Sequence, residues 1–101
     1  MRTRQVEIHP EAVAEAEAAV AWYAERSSRA PAAFIEEIDK AIDSILNAPK
    51  RWPVFEEDCR RLPLFRFPYS IVYREKSTDV VQILAVAHGR RRSGYWRGRS
   101  R

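Results

Sequence analysis

The sequence predicts a small α+β domain: an N-terminal strand, an antiparallel helical hairpin, then a three-stranded antiparallel sheet. Three observations carry that prediction. The first half holds two stretches with helical apolar spacing, the second holds short runs rich in β-branched and aromatic residues, and the two halves differ in charge. Residues 1–58 have seven Lys/Arg against twelve Asp/Glu, whereas residues 59–101 have eleven against two. The net charge of +4 therefore conceals balances of −5 and +9. A chain of 101 residues is read as one domain, and at this size it buries about two-thirds of its unfolded surface without covalent staples.

Residues 4–9, Arg-Gln-Val-Glu-Ile-His, alternate with Val6 and Ile8 on one side, the period of a half-buried strand. His9 ends it, because the residue before a proline is pushed out of helical geometry, and Pro10 suits the first turn of a following helix. His9 is accordingly read as structural. From Glu11 to Arg26 the alanine-rich run has strong helix propensity. Val13, Ala16, Val20 and Tyr23 fall at helical spacing, with Trp22 beside that face and partly exposed. After a short connector, Pro31 opens a second helix over about Ala32 to Asn47. Its apolar stripe is Phe34, Ile35, Ile38, Ala41, Ile42, Ile45 and Leu46, and Glu36, Glu37, Asp39, Lys40 and Asp43 take the other side. A connector this short makes the two helices an antiparallel pair.

Asn47-Ala48-Pro49 stops the second helix, and Lys50 to Asp58 reads as a loop with Trp52 and Phe55 folded back. Three strands follow, Arg60 to Arg66, Tyr69 to Arg74 and Val80 to Ala87, with Glu75 to Asp79 as the last hairpin connector. The final strand runs into His88-Gly89, Arg90-Arg91-Arg92 and Tyr95-Trp96. Residues 96–101 read as a basic tail of which no order is required, while Tyr95 and Trp96 read as packing back against the sheet, their alternative being an exposed partner contact.

Solubility does not require charges so segregated, so the basic half is expected to meet something anionic, either nucleic acid or an acidic protein surface. The candidate binding residues are Arg60, Arg90, Arg91, Arg92, Tyr95 and Trp96, with Trp22 and Trp52. The lone Cys59 excludes an intramolecular disulfide and fits a reducing compartment. No apolar run follows Met1-Arg2-Thr3-Arg4 and none approaches spanning length, so the expectation is a cytoplasmic protein with no membrane partner. There is no glycine-rich phosphate loop, no Cys/His cluster and no Ser/His/Asp arrangement, and neither metal nor cofactor is expected.

Nearly the whole chain resembles the toxins of the RelE/ParE superfamily, the toxic halves of bacterial type II toxin–antitoxin pairs. The likeness lies in an ordered set. It runs from Ala-Trp-Tyr-Ala-Glu at 21–25, through the Phe34, Ile38, Ile42, Ile45 helix ending in Asn-Ala-Pro, to Arg51-Trp52-Pro53. It continues through Arg61 to Tyr73 and Ile83 to His88, and closes with Gly94-Tyr95-Trp96. The set is most similar to the ParE-like, plasmid-stabilisation branch. The resemblance implies a growth inhibitor silenced by a cognate antitoxin in a hetero-oligomer, the antitoxin covering the basic edge and the groove between helices and sheet. ParE-like members are linked to poisoning of DNA gyrase, and RelE-like members cut messenger RNA on the ribosome. A degenerate member would keep antitoxin binding only.

For a metal-independent nuclease, arginines would stabilise the extra charge of the phosphorane and a histidine or tyrosine would move protons. The candidates are His88, Arg61, Arg66, Arg90 and Tyr95. His88 leads because an imidazole ordinarily titrates near neutrality. Its other reading is a hydrogen bond to backbone where the strand ends. Two departures count against catalysis. Ser70 stands where RelE-like nucleases place a phosphate-contacting arginine, and Gly89 stands where a basic residue follows the final strand. The chain is therefore expected to be ParE-like and not an enzyme.

Overall fold

A computed structural model describes residues 4–100. The elements are β1 (Gln5–Ile8), α1 (Pro10–Ala24), α2 (Ala30–Asn47), a 3₁₀ turn (Pro49–Arg51), β2 (Val54–Glu56), β3 (Cys59–Pro63), β4 (Tyr69–Ser77) and β5 (Val80–His88). The α+β class and helical hairpin stand, but the strand arrangement needs correcting. All five strands form one sheet in the order β1-β5-β4-β3-β2. β1 is not a separate strand; it pairs parallel with β5 from Gln5↔Val80 to Ile8↔Ile83, while the other pairs are antiparallel. The reason is non-local. β4 covers one edge of β5, and the N–H and C=O groups on the other edge need partners that only a distant segment can bring.

The fifth strand, β2, lies in what reads as a loop. It is three residues long and is turned onto β3 by Glu57, which adopts the left-handed conformation at φ 51°. Strand three stops at Pro63 instead of Arg66, because Pro63 and Pro68 cannot donate to a ladder and Glu37 of α2 takes the N–H groups of Phe65 and Arg66. β4 runs on to Ser77, leaving Thr78-Asp79 as the hairpin turn. At the start of α1, His9 Nδ1 accepts from Glu11 N–H at 3.0 Å, so His9 is a helix cap.

The sheet has two dissimilar faces. Ile71, Tyr73, Val81, Ile83 and Val86 meet Phe34, Ala41, Ile45 and Ala12 of the hairpin. At one end of this core the rings of Tyr23, Phe34, Phe67 and Tyr69 lie 5.1–5.6 Å apart, mostly edge to face. On the opposite, outer face Cys59, Val72, Leu84, Ala85 and Ala87 are covered by Trp96. A bulge between Val72 and Tyr73 opposes Ala85 and Ile83, so Leu84 is an extra residue that reverses the alternation of β5. Val86 and His88 consequently turn to the helical side.

Candidate functional site

The sheet end at Tyr69 and His88, which pair across β4 and β5, collects most of the predicted residues around two clefts. The larger, about 490 Å³, lies on the helical side and is bordered by Glu15, Trp22, Tyr69, His88, Arg90 and Arg91. The smaller, about 170 Å³, opens on the outer face between Arg61, Ser70, His88, Arg91, Tyr95 and Trp96. Arg61, His88 and Tyr95 therefore share a cleft, as three members of the nuclease set. Arg90 lines only the larger one, and Arg66 lines neither. Arg92 is exposed on the same loop.

The individual groups are already engaged. His88 stacks edge-on to Tyr69 at 4.9 Å, and its Nδ1 accepts from Arg90 N–H at 3.0 Å. That is the backbone bond expected of a histidine ending a strand, and it uses the lone pair a general base would need. Arg66 Nε donates to Glu37 at 3.4 Å. Arg61 lies over the Phe55 ring at 4.9 Å and Arg91 over the Tyr95 ring at 3.8 Å.

Two members of the binding set are placed elsewhere. Arg60 lies on the helical face by alternation, donates to the Trp52 carbonyl at 2.6 Å and pairs with Glu75 at 3.8 Å. Trp52 packs on Tyr73 at 6.5 Å and belongs to the core side. Neither joins the rim, because strand alternation turns Arg60 inward and the 3₁₀ turn folds Trp52 under the hairpin. Trp22, by contrast, is 51% exposed and carries Arg26 over its ring at 3.8 Å.

The last residues fold back onto the sheet. Trp96 is 4% exposed, 5.6 Å from Phe55, and fills the outer face. Arg97 pairs with Glu56, Arg99 with Glu15, and Arg74 donates to the Ser100 carbonyl at 3.2 Å. Residues 96–100 are thus held against the sheet instead of solvating freely, and Arg101 lies outside the described residues. Sequence reasoning missed the anchor of this segment. Glu15 accepts from Val86 N–H at 3.0 Å, the Tyr95 hydroxyl at 2.8 Å and both Arg99 amino groups at 3.0 and 3.2 Å. Burial first, and then donation to Glu15, hold the Tyr95 phenol well above the usual tyrosine range. Burial likewise pushes the Cys59 thiol up.

A second feature lies away from the rim. α1 presents Ala12, Ala16 and Ala21 to α2, and such small side chains leave an apolar trough of about 490 Å³. Ile8, Val13, Val20, Ile35 and Ile42 line it, Ile71, Ile83 and Val86 floor it, and Glu17 and Asp39 border it. Among the described residues no group of three or more His, Cys, Asp or Glu side chains is placed to hold a metal ion. No helix among the described residues is long and apolar enough to cross a membrane.

A family model described as the ParE toxin of the type II toxin–antitoxin system, parDE, matches residues 6–93. The chain belongs to the ParE toxin family. A solved chain from the chromosomal ParDE system of P. aeruginosa superposes on this toxin with a TM-score of 0.70 at 20% identity, covering 85% of this chain and 96% of that one. At that identity the likeness speaks for the fold. No curated protein matches the sequence. The match covers most of this ParE toxin and ends at residue 93, just before Tyr95 and Trp96.

Proposed function

We propose that this ParE toxin arrests growth by binding DNA gyrase through the rim formed by Arg90, Arg91, Arg92 and Trp22, without cutting RNA, and that a cognate antitoxin silences it. The observation that carries the reading is the occupied outer face. A nuclease must hold a phosphate and its proton-transfer groups in an open pocket. Here Trp96 covers the floor of Val72, Ala85 and Ala87, and Ser70 supplies no charge at the position where the nucleases carry arginine. His88 Nδ1 and the Arg66 guanidinium have partners of their own. Arg90, Arg91 and Arg92 remain exposed at the rim, where they suit recognition of a large surface.

The trough supports the antitoxin half of the reading. Its width and apolar lining suit one face of an amphipathic helix laid across α1 and α2. Covering it would remove Ile8, Val13 and Ile35 from water, side chains that the free toxin leaves substantially exposed.

Inducing the toxin alone tests the reading. The expected result is loss of supercoiling and double-strand breaks, with transcripts intact. Transcript cuts in phase with codons that disappear in His88→Ala would replace it with the ribosome-dependent nuclease. Absence of any growth defect would mark a member that retains antitoxin binding alone.

A further inference from the structure

The loop between β3 and β4 holds a feature that neither the trough nor the arginine rim absorbs. Phe65 is 94% exposed, far more than any other large apolar side chain among the described residues. An apolar ring in water is ordinarily the mark of a loose loop, but this loop is fastened on both sides of it. The Glu37 carboxylate of α2 accepts from Phe65 N–H, and from Arg66 N–H at 3.2 Å. Leu64 is buried and its N–H donates to the Tyr69 carbonyl at 2.8 Å. Phe67 enters the aromatic cluster beside Tyr23 and Phe34, and the Pro68 carbonyl accepts from Gly89 N–H at 2.8 Å. Leu64 and Phe67 thus face structure, while Phe65 between them points away from it.

We propose that Phe65 is a pre-positioned apolar anchor that inserts into a pocket on the protein target, on a surface separate from the antitoxin trough. The inference rests on the reading that the toxin acts by binding a protein. Three physical points carry it. The backbone is already ordered, so docking does not have to meet the entropy of freezing a loop. Aromatic side chains seated in desolvated pockets dominate interface energetics. Charge then separates a protein from a nucleic acid as the partner. Glu37 places a carboxylate directly under Phe65 and pairs with Arg66 at 3.4 Å, which neutralises the one cation on this loop. A phosphate backbone would find no net positive charge on this loop, whereas an apolar protein pocket needs none. The Gly89–Pro68 bond couples the loop to the arginine segment, so Phe65 and Arg90 to Arg92 can engage one continuous surface, with an acidic border facing the arginines. Phe65 is not among the residues of the trough.

The experiment compares Phe65→Ala, Phe65→Leu and Phe65→Trp in the full chain, purified with and freed from its antitoxin. Growth arrest on induction, affinity for purified gyrase, antitoxin co-purification and thermal unfolding are the readouts. Phe65→Ala should weaken gyrase affinity by about thirty-fold or more and abolish arrest. Phe65→Leu should lose less than about tenfold, since a smaller aliphatic still fills most of an apolar pocket. Antitoxin co-purification and the unfolding midpoint should not change. Arrest by Phe65→Ala at wild-type inducer doses would overturn the proposal, as would loss of antitoxin binding, which would make Phe65 an antitoxin contact. If Leu fails as completely as Ala while Trp retains activity, the ring stacks on bases and the protein-pocket proposal falls. A shift of the wild-type chain from dimer to monomer on Phe65→Ala would assign the ring to self-association and also overturn it. Growth arrest reads the anchor independently of the target. If the wild type fails to bind gyrase, yet Ala abolishes and Leu retains arrest, the gyrase reading fails and the anchor stands. A wild type that neither arrests growth nor binds gyrase has no target contact for Phe65 to make, and both fall.

Discussion

Tyr73 lies wholly inside the fold, with its hydroxyl donating to the Pro49 carbonyl at 2.6 Å. Burial, offset in part by Arg60, pushes its phenol up to about 12, and Tyr95 is raised as well. Below pH ~10 these phenols keep their protons in both folded and unfolded chains, and their contribution does not change. Between pH ~10 and ~12 the unfolded chain ionises and the fold does not, so stability falls as pH rises, with a slope approaching about 1.4 kcal/mol per pH unit for each tyrosine. Urea midpoints measured from pH 9 to 11.5 should show this decline, and Tyr73→Phe should make it shallower. Gly94 is a second residue whose chemistry fixes geometry. It is at φ +82°, and a Cβ there would stand 2.8 Å from the Arg97 guanidinium carbon. Gly94→Ala should cost about 1–2 kcal/mol for the left-handed backbone alone, read as a lower thermal midpoint. It should also loosen the turn that returns Trp96 to the sheet, visible in tryptophan emission.

At the level of elements, α1 holds the C-terminal segment through one side chain. Glu15 gathers the Val86 N–H, the Tyr95 hydroxyl and the Arg99 guanidinium, and Arg99 donates onward to the Leu84 carbonyl at 3.0 Å. β1 ends at the level of Ile83, so Leu84 and Val86 lack a strand neighbour on that side, and these side chains stand in for one. Glu15→Ala leaves a largely buried cation without its counter-charge and a strand N–H without its acceptor, and should cost about 2–4 kcal/mol in chemical denaturation. Near-UV circular dichroism should show Trp96 losing its fixed environment. Read as sequence, Glu15 is merely a residue off the apolar face of α1, and nothing local marks it. Phe65 left a fainter trace, an aromatic between Pro63 and Pro68. The alternation of Leu62, Leu64 and Arg66 nonetheless invites a strand there, because the Glu37 carboxylate that ends it lies 28 residues away.

Across the whole molecule the charge division becomes a division of surfaces. The acidic helices border an apolar trough with Glu17 and Asp39, and the basic loop after β5 forms a rim at one end of the sheet. Two such surfaces respond differently to salt. Raising ionic strength from about 0.05 to 0.3 M shortens the Debye length from about 14 to 6 Å, and should slow target association through the rim. Binding in the trough, driven by apolar burial, should change far less. Surface-plasmon measurements of both association rates across that salt range check the contrast. Equal salt dependence would place both partners on the rim.

Helix spacing, proline placement and the charge balance between the halves determined the class, the hairpin and the kind of surface to look for, because each is carried by residues close in sequence. The tertiary structure alone decided that β1 joins β5, that a bulge at Leu84 turns His88 toward the helices, and that Arg60 and Trp52 leave the rim. It also decided which face Trp96 covers, the outer one over Val72, Ala85 and Ala87. Those outcomes depend on which distant backbone groups and side chains satisfy one another, and strand pairing across some 75 residues leaves no periodic signal in the segments that pair.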